Sequence, residues 1–173
     1  MSITLPATLA RPAVPQDAAL IHAFYAATPK YFDIISIPTP TQAEVKRELE
    51  AAVADERRFT QILLLPEDED WSIPEFYDDT SGHCGVAYLD YKLDYPETGD
   101  ATVNLLLVPT PLQSRGIGRL CVDYLEKELK GQAKRLLASI YGQNPRAEAF
   151  WTSLGYTFAI DAKPILDWYA KDL

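Results

Sequence analysis

The residues best suited to chemistry lie between Leu105 and Arg119, where an apolar stretch runs through a short loop into a helical pattern. Gly116 and Gly118 fall where that helix would begin. The first N–H groups of a helix have no partner inside it, and together with the helix dipole they attract an anion. Glycines let phosphate oxygens approach the backbone, and Arg115 and Arg119 would add positive charge at the rim. The segment therefore predicts a phosphate-binding loop.

Two common phosphate motifs are excluded by the same residues. A Walker loop needs a Gly-Lys-Ser or Gly-Lys-Thr sequence, which does not follow here, and a dinucleotide fingerprint needs a third glycine. A lone G-x-G pair is also typical of a helix start that needs tight packing. On this motif alone, phosphate binding and simple packing both remain open.

A family resemblance is carried by two motifs together. The first, QSRGIG at residues 113–118, is similar to the Q/R-x-x-G-x-G/A signature of the GNAT superfamily of acyl-CoA-dependent N-acetyltransferases, and Val108 lies where that family ends its fourth strand. The second, at residues 144–156, resembles the family pattern N-x-x-A-x-x-Φ-Y-x-x-x-G-F, in which Φ is apolar. Residues 11–18 resemble the family's first strand and helix, so the resemblance covers nearly the whole chain.

The resemblance implies an acetyl-CoA site built mostly from backbone groups. Leu106 and Val108 would bind the pantetheine arm, which inserts between two splayed strands, and the Leu106 N–H would polarise the thioester carbonyl. The amides of residues 113–118 would hold the pyrophosphate. The implied cofactor-binding residues are Leu106, Leu107, Val108, Gln113, Ser114, Arg115, Gly116, Ile117, Gly118, Arg119, Asn144, Arg146 and Trp151. Simpler interpretations are a buried strand at residues 105–108, a helix cap at residue 144 and a core side chain at residue 151.

The proton-transfer groups of the family are missing from the positions where the resemblance would place them. Trp151 stands where members commonly have an acidic tyrosine, and Thr102 where many have a basic glutamate. Asp100 and Asn104 share the strand face of Thr102, so both are expected to point into the cleft, Asp100 as a base acting through water and Asn104 as an orienting group. With the backbone of Leu106, they are the expected catalytic residues.

The acid that would assist the departing thiolate is left open among Tyr88, Tyr141 and Tyr156. The CoA thiolate, with a pKa of about 8.5 like free cysteine, could also leave unassisted. Two functions follow. The first is an N-acetyltransferase in which a primary amine directly attacks acetyl-CoA in a ternary complex. The alternative, motivated by the missing tyrosine and glutamate, is a catalytically silent module that binds or senses acyl-CoA.

Composition excludes several other classes. The 173 residues carry a formal net charge of −9, which argues against a nucleic-acid partner. No run of about 18 apolar residues could span a membrane, and residues 1–6 lack the features of a secretory signal, so a cytoplasmic protein is expected. Two cysteines (Cys84, Cys121) and two histidines (His22, His83) without close pairing make a metal site improbable, so no metal is expected.

The pattern of elements predicts an α/β (α+β) fold in one domain over residues 1–173. Strands are predicted at residues 8–14, 59–65, 85–91, 102–108, 135–141, 156–160 and 165–170. Helices are predicted after Asp17, after the capping box of Thr41 and Glu44, at residues 117–129 and from Pro145 to a stop at Gly155. The expected sheet is mixed and mostly antiparallel, with about six to seven strands flanked by about four helices, as in the GNAT fold.

The acceptor is expected to be a small-molecule or peptide amine that enters opposite the cofactor. The two loops predicted at residues 28–40 and 67–80 would line its site, with a potentially aromatic wall of Tyr31, Phe32, Trp71, Phe76, Tyr77 and Tyr88. Eleven acidic residues and one base lie between Pro66 and Asp100, so a cationic amine is favoured unless those acids serve only solubility. The choice between a monomer and a homodimer stays open.

Overall fold

A computed structural model describes residues 9–163 and 166–173. Within those residues, eight strands form one sheet in the order β1-β2-β4-β5-β6-β8-β7, with β3 pairing on β4. The strands are β1 (Leu9–Pro12), β2 (Arg58–Leu65), β3 (Tyr77–Asp78), β4 (His83–Leu93), β5 (Asp100–Leu107), β6 (Arg135–Tyr141), β7 (Thr157–Lys163) and β8 (Leu166–Asp172). The predictions on residues 1–6, at Thr8 and at Ile165 lie outside the described residues.

Five α-helices accompany this sheet in the described part of the chain. They are α1 (Ala18–Ala26), α2 (Pro29–Ile34), α3 (Gln42–Ala54), α4 (Ile117–Leu129) and α5 (Pro145–Ser153). Every strand pair is antiparallel except β5 with β6, which are parallel because helix α4 carries the chain back across the sheet between them. The mixed, mostly antiparallel sheet confirms the predicted fold.

The differences from the predicted elements are local. Helix α2 occupies part of the segment that was expected to be a loop; Pro29 begins it, and it is too short to show a periodic pattern. The segment at 67–80 is likewise not without structure, because it forms a single 3-10 turn at Pro74–Phe76 and the two-residue strand β3. Helix α2 is therefore the helix that the prediction lacked, and β3 is the strand that it lacked.

Helix α4 shows how sequence directs this part of the fold. Its apolar residues recur at helical spacing, and Ile117, Cys121, Val122, Leu125 and Leu129 are all buried against the sheet. The helix is followed by Gly131, whose φ of 89° is the left-handed conformation that ends a helix. Because both ends of α4 have local signals, its predicted bounds are confirmed.

The N-terminal part is tied together by one buried charge cluster. Arg11 on β1 donates from Nε and Nη2 to the Asp78 carboxylate, both at 2.9 Å, and from Nη1 and Nη2 to Asp17 at 2.9 and 2.7 Å. Burial alone would raise the pKa of Asp78, but the hydrogen bonds from Arg11 and Ser81 lower it to about 2. The cluster therefore joins β1, the start of α1 and β3.

We expect this cluster to make stability depend on acid pH. Because the folded pKa of Asp78 lies below the unfolded value of about 3.9, its contribution is full above about pH 5 and is lost as pH falls toward 2. Asp78→Asn should cost about 2 kcal/mol of unfolding free energy at pH 7 and flatten the profile between pH 5 and 2. Urea unfolding across that range measures both. Asp79→Asn at the exposed neighbouring position should keep the wild-type profile, and a D78N profile as steep as wild type would contradict the prediction.

Candidate functional site

The cleft of the molecule opens where β5 and β6 separate. Their parallel pairing runs from Asp100 opposite Arg135 to Val103 opposite Ala138 and then ends, although β5 continues to Leu107. A cavity of about 590 Å³ lies beyond that point, between the two strands. The backbone of β5 that faces β6 has no strand partner over 104–107 among the described residues, so its N–H and C=O groups are available to an extended ligand.

A β-bulge marks the point of separation. The consecutive residues Asp90 and Tyr91 of β4 lie opposite Leu105 and Val103 of β5, so Asn104 is the extra residue on β5. Bulges bend a strand and re-aim the bulged side chain. Here the bulge coincides with the mouth of the cleft, and Asn104 lines it.

Most of the predicted cofactor residues line this cleft. They are Leu106, Leu107, Val108, Gln113, Ser114, Gly116, Gly118, Arg119, Asn144, Arg146 and Trp151, and the predicted catalytic residue Asn104 lines the cleft with them. Ile117 is buried in the core, so only its backbone could serve a ligand. Residues from two sequence motifs, near 113–119 and near 144–151, are thus brought to one cavity.

The loop before α4 presents the open N-terminus of that helix to the cleft. Gly116 is the N-cap residue, with φ at 84°, and no side chain of the described residues caps the first amides of the helix. A Cβ built on Gly116 would meet nothing within 4 Å, so the space above the loop is free. The Gln113 side chain donates from Nε2 to the Val108 carbonyl at 2.8 Å, which holds the loop against the end of β5. This arrangement suits an anion bound by backbone amides.

Gly118 is needed for a different reason. A Cβ at this position would lie 3.1 Å from the ring of Phe150, closer than side chains normally pack. Gly118 therefore allows α4 and α5 to approach each other, which is the packing interpretation left open by the sequence. Gly116 thus provides the loop conformation, and Gly118 provides the space for helix packing.

The three arginines near the loop have different roles. Arg146 donates from Nη2 to the Ser114 hydroxyl at 3.3 Å and so links α5 to the loop. Arg119 is 71% exposed, and its Nε lies 3.9 Å from Asp123, which leaves its charge near the cleft available. The exposed Arg115 side chain donates to the backbone carbonyl of Asp70 and does not line the cleft, so its predicted charge at the rim stays a prediction.

The second motif supplies the opposite wall of the cleft. Asn144 caps α5 by accepting from the Ala147 N–H at 3.1 Å, and it also lines the cleft, so its predicted contact with a cofactor stays a prediction. Trp151 is buried and packs edge-on against Phe150 and Tyr156 at 5.2 and 4.9 Å between ring centroids. Trp151 forms part of the cleft wall and cannot act as a proton donor, because an indole N–H is a very weak acid.

Asp100 does not lie in the cleft, and the prediction that it points there is wrong. Its carboxylate accepts from Nε and Nη2 of Arg135, both at 2.9 Å, and it is buried beside that partner. The reason is the pairing of β5 with β6, which places Asp100 at the closed end of the strand pair. Asp100 therefore forms an ion pair with Arg135 and does not line the cleft.

Two charged side chains that sequence reasoning missed lie next to Asn104. Asn104 Nδ2 donates to Asp90 Oδ1 at 3.4 Å, and the buried Asp90 accepts from Arg58 at 2.6 Å through Nη2 and at 3.1 Å through Nε. The signal in the sequence was a carboxylate inside the otherwise apolar strand predicted at residues 85–91. Its partner begins β2, one residue before the predicted start.

A second cavity of about 390 Å³ adjoins the cleft. Its lining includes Asn104, Ser139 and Tyr141, which also line the cleft, so these three side chains form the boundary between the two spaces. The other lining residues are Asp55, Arg58, Lys92, Tyr95 and Trp168. Trp168 donates from its indole nitrogen to the Ser139 hydroxyl at 3.0 Å, which fixes that boundary residue.

The structure separates the three tyrosines left open as acids. Tyr156 is fully buried and donates to Glu126 at 2.8 Å, and Tyr88 packs in the core against Tyr25. Neither lines the cleft, whereas Tyr141 lines both cavities. Burial, followed by the negative charge of nearby groups, raises the pKa of Tyr141, so its hydroxyl stays protonated at neutral pH. Tyr31 also lines the cleft, and burial raises its pKa to about 12.

The predicted aromatic wall for an acceptor is mostly core. Phe32, Trp71, Phe76 and Tyr88 are buried, and the Trp71 indole donates to the Pro66 carbonyl at 2.7 Å. Tyr77 is exposed and lines neither cavity. Tyr31 is the one residue of that set that lines the cleft.

Within residues 9–163 and 166–173, no helix is long and apolar enough to cross a membrane. The same residues hold no group of three or more His, Cys, Asp or Glu side chains placed to bind a metal ion.

Comparison with known proteins gives one family and many related structures. The sequence model of the acetyltransferase (GNAT) family matches residues 37–156. The crystal structure of an acetyltransferase from Thermus thermophilus is 35% identical, covers 99% of this chain and 100% of that one, and has a TM-score of 0.84. No curated protein sequence matches the chain.

More distant structures share the fold. Aminoglycoside acetyltransferase AAC(6')-Ib, solved in complex with ribostamycin and coenzyme A, is 14% identical with a TM-score of 0.73, over 96% of this chain and 94% of that one. The PaiA N-acetyltransferase from Thermoplasma acidophilum, in complex with coenzyme A, is 10% identical with a TM-score of 0.65, over 97% of this chain and 100% of that one.

Proposed function

Because this chain belongs to the acetyltransferase (GNAT) family, we propose that it transfers the acetyl group of acetyl-CoA to a primary amine by direct attack in a ternary complex. One observation carries the proposal: among the described residues, the cleft between β5 and β6 has β5 backbone without a strand partner on one side and the start of α4 without a side-chain cap at one end. That pairing of features suits a ligand with an amide-containing arm and a diphosphate.

The chemical groups of the cleft residues suit the parts of acetyl-CoA. Backbone groups of Leu106 and Val108, with Leu107 between them, would bind the amides of the pantetheine arm. The amides of residues 113–118 would hold the diphosphate, because an open helix N-terminus favours negative charge. Arg119 and Arg146 would add positive charge beside it.

The reaction forms a bond between the amine nitrogen and the thioester carbonyl carbon, and it breaks the bond between that carbon and sulfur. Negative charge develops on the carbonyl oxygen, and the Leu106 N–H would stabilise it. Asn104 would orient the amine at the boundary of the two cavities, since an amide side chain cannot take a proton at neutral pH. The proton released by the nitrogen would pass to solvent through the second cavity.

The second cavity is the proposed entry site for the acceptor. It shares Asn104, Ser139 and Tyr141 with the cleft, so a molecule held there would meet the thioester at that boundary. The acceptor amine must be uncharged when it attacks, because a protonated nitrogen has no free electron pair. The position of Tyr141 at the boundary makes it the proposed donor of a hydrogen bond to the departing sulfur.

Two measurements on the wild-type protein test the function. Isothermal titration calorimetry should show acetyl-CoA binding, and release of free CoA should accelerate when amines are added from a panel of polyamines, aminoglycosides, amino acids and peptides. Tight binding with no turnover on any amine would favour the silent acyl-CoA-binding module instead. No heat with acetyl-CoA would overturn the assignment of the cleft.

A further inference from the structure

We propose that the acceptor carries a carboxylate as well as its amine, as an amino acid or short peptide does, and that Arg58 and Lys92 recognise this carboxylate. The inference rests on the proposed function and specifies its second substrate. The side chains that carry it lie in the second cavity. Arg58 on β2 is the register partner of Lys92 on β4, so both side chains lie on the same face of the sheet.

Arg58 offers a fixed and incompletely used guanidinium. Its Nε and Nη2 donate to Asp90, and Nη2 also donates to Glu48 at 3.1 Å, whereas Nη1 donates to none of the described residues. Asp90 is buried and is not part of the cavity lining, while Arg58 is. Asp90 therefore acts as a positioning residue that fixes the guanidinium through Nε and Nη2, and the N–H groups of Nη1 remain for a carboxylate in the cavity that Arg58 lines.

Lys92 adds a second positive charge to the same cavity. Its ammonium lies 2.9 Å from Asp55 Oδ2 and 5.5 Å from the ring centre of Tyr95, which leaves N–H donors for a ligand. Both cations already have carboxylate partners, Asp55 for Lys92 and Asp90 with Glu48 for Arg58, so the local net charge does not select the ligand. The selection comes instead from the N–H donors that Arg58 and Lys92 keep, because a carboxylate could accept from both.

These remaining donors favour an acceptor that carries a carboxylate over a purely cationic acceptor. The acidic side chains at 67–70 and 75–79 line neither cavity, so they do not surround the acceptor. The spacing of the site also favours a compact acceptor. Asn104 at the boundary and Arg58 both bond the single carboxylate of Asp90, so the expected positions of amine and carboxylate are close together. Tyr95 and Trp168, edge-to-face at 5.8 Å, provide an apolar wall for a side chain.

Matched substrate pairs test the inference. Amino acids and dipeptides should be acetylated with kcat/KM about tenfold higher or more than their C-terminal carboxamides, which keep the amine and lose the negative charge. Arg58→Gln should abolish that ratio by lowering kcat/KM on the acids only. Since Arg58→Gln leaves Asp90 buried without its partner and could unfold the chain, Lys92→Gln is a second variant and should reduce the ratio severalfold. Arg57→Gln, at an exposed neighbouring arginine that donates to the Asp94 carbonyl, should retain the wild-type ratio.

The outcomes separate this inference from the proposed function. Equal kcat/KM on acids and carboxamides, or turnover restricted to polyamines or aminoglycosides, overturns the carboxylate site and leaves the acetyltransferase standing. An unchanged ratio in folded Arg58→Gln and Lys92→Gln variants also overturns it. Failure of acetyl-CoA to bind at all overturns both.

Discussion

Valine at position 116 is expected to raise the Kd for acetyl-CoA about 10- to 100-fold, which corresponds to losing one or two charge-assisted hydrogen bonds. Gly116 has a φ of 84°, a conformation that a β-branched residue adopts only under strain. The variant must either hold the loop under strain or relax it, and relaxation turns the first amides of α4 away from the diphosphate. The valine side chain would also enter the open space above the loop.

The chain supplies a matched control for this variant at the other end of the same helix. Gly131 has a φ of 89°, and a Cβ there also meets nothing within 4 Å. Both Gly116→Val and Gly131→Val should therefore lower the melting temperature by about a few degrees. Gly131→Val should leave the Kd for acetyl-CoA unchanged. Calorimetry and thermal unfolding on both variants make the comparison. Equal weakening of binding in both, or none in Gly116→Val, would count against the loop as the diphosphate site.

Phenylalanine at position 141 is expected to lower kcat about 10- to 100-fold with little change in the Kd for acetyl-CoA. Tyr141 lines both the cleft and the second cavity, and the proposed function places the departing thiolate at the boundary between them. Burial raises the pKa of Tyr141 above the ordinary value of about 10, so it remains a hydrogen-bond donor at neutral pH. Steady-state kinetics with a saturating acceptor measure the effect.

Tyr156 provides the comparison for this second variant. Its hydroxyl donates to Glu126, which also accepts from Lys171 at 3.1 Å, so Tyr156→Phe should lower stability and spare kcat. A normal kcat in Tyr141→Phe would mean that the thiolate leaves without help. A parallel fall in kcat for both variants would point to a general loss of structure instead of a role for the residue at the boundary.

The Tyr141 and Tyr156 variants also bear on the role of Trp151. It occupies the place of a family tyrosine, and its ring packs between Phe150 and Tyr156 at the wall of the cleft. The loss of an acidic group there does not by itself make the chain silent, because β6 places another phenol at the same cavity. The kinetics of the Tyr141 variant therefore also bear on the choice between an enzyme and a silent acyl-CoA-binding module.

Local patterns in the sequence were sufficient for most of the elements and for the residues that line the proposed cofactor side of the cleft. The apolar spacing of α4, the glycines at its ends, and Asn144 followed by Pro145 each act within a few residues, so each could be interpreted without knowing the fold. The capping box was equally local: the Thr41 hydroxyl accepts from the Glu44 N–H at 3.2 Å, as expected. Helix α2 was missed because six residues show no clear period.

Only the tertiary structure revealed the residues of the proposed acceptor side. Arg58, Asp90 and Asn104 come from three strands, and their contact depends on the register of those strands and on a bulge that no local pattern announces. The same is true of Asp100, which strand pairing commits to an arginine 35 residues away. Helices and caps follow from interactions between near neighbours in the chain. A site built across strands depends on which distant residues the sheet places opposite one another, and that is settled by packing the whole sheet.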